Sequence, residues 1–171
     1  MINITYLPAN DPFHAIFRLF VLFPDANSKV CSSDSARILD FYVCFPFLIT
    51  QFKPPKSLVR AHNVLKKSYL PNSYQVTPKA AILFNRMGSP HNAATGSLQS
   101  YGFLQTDLFQ DGMVARTSKP MPDGIAAEVQ KHRADHADLV DFLDELKTLS
   151  LFGPAGLRAR SDLEEHRYDN V

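Results

Sequence analysis

Cysteine is scarce in this chain of 171 residues: only Cys31 and Cys44 occur, thirteen positions apart, with no CxxC pair and no matching histidine pair. That spacing excludes a zinc knuckle and a dithiol redox motif, and it leaves two reduced, mostly buried thiols. Tryptophan is absent, so aromatic mass comes from thirteen Phe and six Tyr, enough for a real core because each buried ring removes a large apolar area from water. No apolar run reaches the roughly 20 residues that span a bilayer. The longest, Ile38 to Ile49, contains Asp40 and Pro46. The opening Met1-Ile2-Asn3-Ile4-Thr5-Tyr6 alternates apolar and polar residues as a strand does, and it lacks the basic-then-apolar layout of a secretion signal. The expected location is the cytoplasm, with no membrane among the partners.

The usual catalytic signatures are missing as well. There is no GxSxG elbow, no GxxxxGKS/T phosphate loop, and neither cysteine has a histidine neighbour that would make a thiolate nucleophile. His132-Arg133-Ala134-Asp135-His136 sets two imidazoles one helical turn apart, as in an inverted zinc-peptidase helix, but Asp135 stands where those motifs use Glu and the surroundings read as a solvated acidic face. The expectation is a chain without catalytic residues, metal or cofactor. If ATP is involved, a partner hydrolyses it.

Acidic residues are also missing over a long stretch. From Phe41 to Thr106 there is no Asp or Glu, while Lys53, Lys56, Arg60, Lys66, Lys67, Lys79 and Arg86 contribute seven positive charges. Residues 1–40 carry net −1 and residues 107–171 net −5, so a formal net charge of +1 hides an electrically polar chain. A basic middle attracts phosphate backbone by counterion release; its plainer reading is a solvated face neutralised by the acidic last third. Lys53, Lys56, Arg60, Lys66, Lys67 and Arg86 are the candidate contacts to double-stranded DNA.

The size and composition suit one domain with three parts, 1–70, 77–119 and 123–171. Asn10-Asp11-Pro12 starts a helix that runs to Phe23, with Phe13, Ile16, Phe17, Phe20 and Val21 as its buried stripe. Asp34 or Ser35 caps a second helix that Pro46 ends. Its few polar groups, Arg37 and Asp40, are expected at an exposed edge. A short basic helix follows Pro54-Pro55. Ala80, Leu83, Phe84 and Met87 mark another helix, Gly88-Ser89-Pro90 a turn, and Ala94, Leu98 and Tyr101 a helix closed by Gly102. Phe103-Leu104 reads as a strand, Asp111-Gly112 as a hairpin and Met113 to Thr117 as the return strand.

The order helix, turn, helix, hairpin predicts a winged-helix unit, within a mainly α fold that has a small β-hairpin and flanking N- and C-terminal helices. The positions of the second helix expected to face outward, His91, Asn92, Thr95, Gln99 and Ser100, include no Arg or Lys. Docking to protein or touching DNA without sequence preference suits such a helix better than reading an operator. Ile125 to Leu149 reads as one long acidic helix with Val129, Leu139, Phe142, Leu143 and Leu146 on its apolar face, and Ser161-Asp162-Leu163-Glu164-Glu165 as a helix cap.

Two segments are candidate partner surfaces. The 36–47 helix offers Phe41, Phe45 and Phe47 among apolar groups on more faces than one small core needs. The tail mixes Leu157 and Leu163 with Arg158, Arg160, Arg167 and Tyr168, a combination of apolar anchors and forked cations that interfaces favour. A terminal helix folded on its own core is the alternative reading of the tail.

Asp11-Pro12-Phe13-His14 entering a hydrophobic helix, Arg37 to Phe47, and the ending GPAGLRARSDLEEHRYD together resemble the middle-component proteins of bacterial ABC-three-component conflict systems. The small subunit of Lamassu-type anti-phage defence belongs to that group. The resemblance implies a bridge between an SMC-like ABC ATPase, which senses foreign DNA, and an effector that is often a nuclease, with catalysis in the partners. The competing reading is a winged-helix transcription regulator acting as a homodimer on a palindrome.

Overall fold

A computed structural model describes residues 7–73 and 77–163 of the chain. The opening strand expected over Met1–Tyr6 lies outside them. The chain begins with a 3-10 turn, Pro8–Asn10, and enters helix α1, Pro12–Leu22. The start of α1 follows from two residues. The Asp11 carboxylate accepts the Phe13 N–H at 2.8 Å, and Pro12 occupies a first-turn position where a missing N–H costs nothing.

The buried side of α1 matches the predicted stripe at Phe20 and Val21 and departs from it elsewhere. Phe13 is 82% exposed and Ile16 and Phe17 are only partly covered, whereas Ala15, Arg18 and Leu19 to Phe23 are buried. The first turn of α1 borders solvent, but its second half is enclosed by four other helices, so burial there follows position along the helix more than face.

Helix α2, Ser33–Cys44, is preceded by the two-residue strand β1, Cys31–Ser32. Ser32, rather than Asp34 or Ser35, is its cap: its hydroxyl accepts the Ser35 N–H at 3.1 Å. Ala36, Ile38, Leu39, Phe41, Tyr42 and Val43 are all buried, whereas Phe45 and Phe47, counted in the same apolar excess, are only partly covered. Asp40 has no exposed surface, which reverses the expectation of an exposed edge. Arg37 is half-buried, with its guanidinium 4.2 Å over the Phe84 ring and donating to the Phe84 carbonyl. A 3-10 turn, Pro46–Gln51, ends this segment.

Helix α3, Val59–Ser68, follows Pro54-Pro55 and a short 3-10 turn. Helices α4, Ala80–Arg86, and α5, Gly88–Ser100, meet at Met87, whose backbone stays helical, so Gly88-Ser89-Pro90 forms the first turn of α5 instead of a connecting turn. Gly102 closes α5 as expected. Its φ is +77°, the Phe103 N–H bonds the Leu98 carbonyl and the Gly102 N–H bonds that of Gln99, the pair of bonds that defines a Schellman end.

The expected hairpin takes a different form. Strand β2, Met113–Val114, pairs antiparallel with β1, with Cys31 opposite Val114. Phe103 and Leu104 meet the return segment only near the Leu104–Arg116 bridge, and helix α6, Thr106–Gln110, occupies the tip before Gly112. His91 and Thr95, expected outside, are buried because α5 lies along α1; Asn92 and Ser100 are exposed.

The long acidic helix is two helices. Helix α7, Asp123–Asp135, and helix α8, Ala137–Leu146, break at His136, whose φ of −123° leaves the helical region. The predicted apolar face holds: Val129, Leu139, Phe142, Leu143 and Leu146 are all buried. Helix α9, Leu157–Ser161, completes the described residues, which are mainly helical with one two-stranded sheet among them. Among the described residues no helix is long and apolar enough to cross a membrane.

Candidate functional site

The basic segment is held by its underside. His62 and Leu65 are the buried positions of α3; the His62 imidazole bonds the Ile49 carbonyl at 2.7 Å and stacks on Phe142 of α8 with ring centres 5.9 Å apart. Anchoring α3 through these two residues turns Arg60, Lys66 and Lys67 to solvent, and Lys53 and Lys56 are exposed just before the helix. None of these five forms an ion pair among the described residues. Arg86 is exposed too, but on α4, which packs on α5 and the Pro8–Asn10 turn, whereas α3 packs on α8 and the Pro46–Gln51 turn. The structure therefore gathers Lys53, Lys56, Arg60, Lys66 and Lys67 in one segment and leaves Arg86 in another packing unit.

The candidate partner residues are placed less favourably. Phe41 is fully buried, and Phe45 and Phe47 are half-buried, the three rings following one another at 5.3 and 6.2 Å. Leu157 and Leu163 are 0% and 1% exposed, so both are core residues with no surface to offer. The described part of the tail is tied down around α9. The Lys53 N–H bonds the Arg160 carbonyl, Arg160 Nη1 donates to the Lys53 carbonyl at 3.0 Å, and Arg158 pairs with Asp34 at 2.9 Å. Gly156 is required there, since a Cβ would stand 2.3 Å from the Phe152 carbonyl oxygen. Ser161 ends α9 and donates to the Arg158 carbonyl, so its hydroxyl is engaged within the helix it closes. Arg167 and Tyr168, and the rest of the helix that Ser161 was expected to cap, lie outside the described residues.

Sequence reasoning missed a buried polar centre at the junction of α1, α2 and α5. Arg18, Asp40 and His91 are 1%, 0% and 2% exposed. Arg18 Nε donates to Asp40 Oδ1 at 2.5 Å, His91 Nδ1 lies 2.9 Å from Asp40 Oδ2, and Arg18 Nη1 donates to the Pro8 carbonyl at 3.0 Å and lies 2.9 Å from His14 Nδ1. Burial would raise the Asp40 pKa, but the His91 hydrogen bond and the Arg18 charge outweigh it and hold the carboxyl below its ordinary range. Burial and the nearby Arg18 lower that of His14. A carboxylate orienting an imidazole is half of a nucleophile-activating array. No hydroxyl or thiol bonds the other ring nitrogen, His91 Nε2, among the described residues. The arrangement joins three helices.

A second set of cations, buried Arg116 and Lys147 and half-buried Arg133, closes α1. The last carbonyls of a helix have no partner within it. Arg133 Nη1 donates to the Val21 carbonyl, Lys147 Nζ to Leu22, and Arg116 Nε to Phe23 at 3.0 Å. Positive charge at this end also complements the helix dipole. Burial lowers the Lys147 pKa against the opposing hydrogen bond and charge of Asp144, 2.6 Å away.

Asp135 pairs with Lys131, His132 packs edge-on to Phe17, and His136 Nδ1 lies 2.6 Å from the Tyr69 hydroxyl. No group of three or more His, Cys, Asp or Glu is placed to hold a metal among the described residues. Burial pushes the Cys31 and Cys44 thiols up to about 12 and about 11, so thiolate is scarce at neutral pH.

A cleft of about 270 Å³ lies between α3 and α8, lined by Leu58, Ala61, Val64 and Phe142, with Asp138, Asp141 and Glu145 along the α8 side. Comparison with curated proteins and with solved structures returned no match. A family model described as ABC-three component (ABC-3C) system Middle Component 5 matches residues 4–169, and the chain belongs to that family.

Proposed function

We propose that the chain is the non-catalytic adaptor of an anti-phage defence complex, bridging an SMC-like ABC ATPase that senses DNA and an effector nuclease. The observation that carries this is the family match over residues 4–169, which makes the protein a middle component of a three-part system. Its surface supports the reading, because a cationic face on α3 and an anionic face on α8 lie on adjoining helices, as a subunit that meets two different partners needs.

Double-stranded DNA contact, on this reading, is made by Lys53, Lys56, Arg60, Lys66 and Lys67 through phosphate alone. A winged-helix unit in 77–119 would be of the protein-docking kind, since α5 turns His91 and Thr95 inward and carries no Arg or Lys to read a base.

The test is to mix the purified chain with the ATPase and nuclease of its system and resolve the products by size-exclusion chromatography. A ternary complex that requires the chain is expected, with no ATP hydrolysis or DNA cleavage by the chain alone. ATPase and nuclease that associate equally well without it would overturn the proposal.

A further inference from the structure

We propose that the cleft between α3 and α8 is the docking groove for a cationic amphipathic helix of a partner subunit. The inference rests on the adaptor reading and adds to it the place and chemistry of one contact. Three observations carry it.

First, the lining repeats with helical spacing on both walls. Leu58, at the end of the 3-10 turn, and Ala61 and Val64 of α3 succeed one another every three residues, and Asp138, Asp141 and Glu145 do so every three or four along α8, with Phe142 four after Asp138. Two such rows bound a channel that accepts the ridge of a third helix.

Second, the channel has an apolar floor open to water. Phe142 is buried at its base while Val64 remains 46% exposed. Filling the channel with side chains would remove this area from water.

Third, the α8 rim has the charge that selects the occupant. Asp138 and Asp141 form no ion pair among the described residues, and Glu145 meets only the exposed Lys29, at 2.8 Å. A helix with Leu, Ile or Met on the floor and Lys or Arg along the α8 edge would complete the rim. An acidic helix or nucleic acid would be repelled by the same three carboxylates. Arg60 and Lys67 are exposed on α3 and, as helical neighbours of Val64, border the channel on the side opposite the carboxylates, so the cations of the occupant are directed to the α8 edge.

The experiment uses the assembled complex. A photoreactive phenylalanine analogue placed at Ala61, an exposed position in the groove, should cross-link in one step to a single Lys- or Arg-rich amphipathic segment of the ATPase or the nuclease. Asp141→Lys should weaken association with that subunit at least tenfold, with an unchanged circular dichroism spectrum, and Lys→Glu in the captured segment should restore it. Val64→Asp should weaken it as well. A cross-link to an acidic segment, to a second copy of this chain or to no protein would overturn the groove assignment. So would a complex indifferent to both substitutions, and in that case the adaptor reading would stand. Failure of any complex to form would overturn both.

Discussion

Replacing Asp40 by Asn removes one charge at nearly constant volume, and the consequence can be worked from its neighbours. The Arg18 guanidinium is 1% exposed, and its other partners are the Pro8 carbonyl and the His14 ring, both neutral. Asp40→Asn therefore leaves a buried cation without a counter-charge, a change that costs about 3–5 kcal/mol. Against a total stability of about 5–15 kcal/mol this is a large fraction. At about 2–4 °C per kcal/mol for a chain of this size, the melting midpoint should fall by roughly 6–20 °C.

Urea unfolding followed by circular dichroism measures the loss, and the slope should not change. The pH dependence gives a second check. Asp40 has a lowered pKa in the fold, so its contribution is complete above the ordinary carboxylate value of about 3.9 and is lost as pH falls through the lowered folded value. The stability curves of wild type and Asp40→Asn should converge at acid pH. Arg18→Met combined with Asp40→Leu removes both charges and should recover part of the loss, limited by the acceptor His91 then lacks. A loss below about 1 kcal/mol for Asp40→Asn, or a double variant no better than the single one, would refute the reasoning.

Leu157→Ala should cost about 2–5 kcal/mol in the same assay because Leu157 is fully buried, whereas Phe13→Ala, at a site 82% exposed, should stay within about 0.5 kcal/mol. Cys31, buried and pushed up to about 12, should react with a disulfide reagent at pH 8 only at the rate of unfolding, whereas partly exposed Cys44 should label first; prompt labelling of both thiols in the native protein would contradict the placement of Cys31. Reversing Lys56, Arg60, Lys66 and Lys67 to Glu should weaken DNA binding uniformly across sequences and reduce the salt slope by up to about 3.6, at about 0.9 per phosphate contact. Preference for one operator at nanomolar affinity would contradict it.

What was legible in the sequence was what short-range chemistry decides. Asp11-Pro12 specifies the start of α1, Pro46 the end of α2, and Gly102 the end of α5, each through a bond or dihedral made within a few residues. The apolar face of α8 was legible because one side packs and the other is solvated. The buried side of α1 was not, since a helix enclosed in its second half has no single apolar stripe to read. Nor was the strand pairing, because β1 and β2 are separated by some eighty residues and the local Asp111-Gly112 signal pointed to a nearer partner.

The buried polar centre had a signal that went unused. Arg18 is a lone cation inside an apolar helix, and Asp40 an anion isolated within the apolar run from Ile38 to Phe45 of another. Two isolated opposite charges in two apolar helices predict each other, because neither can be buried singly. The site residues divide the same way. The cations of α3 were correctly expected at the surface, while Phe41, Leu157 and Leu163 were apolar enough for an interface or a core, and composition alone does not separate the two.

The burial pattern also changes how the charge asymmetry of the sequence should be read. Arg18, Arg116 and Lys147 are buried, and with half-buried Arg133 they bond Asp40 or the last carbonyls of α1. They stabilise the interior and contribute little to the field that a partner meets. The cations at 53–67 are all exposed, on the segment that has no acidic residue of its own. The acidic last third gives up Arg116, Lys147 and most of Arg133 to the interior, so its surface is more anionic than its sequence count suggests. The fold therefore sharpens the polarity written in the chain, setting a basic α3 beside an acidic α8 with an apolar channel between them. Such a boundary presents opposite signs on adjoining helices, which on the proposed adaptor reading would suit two different partners.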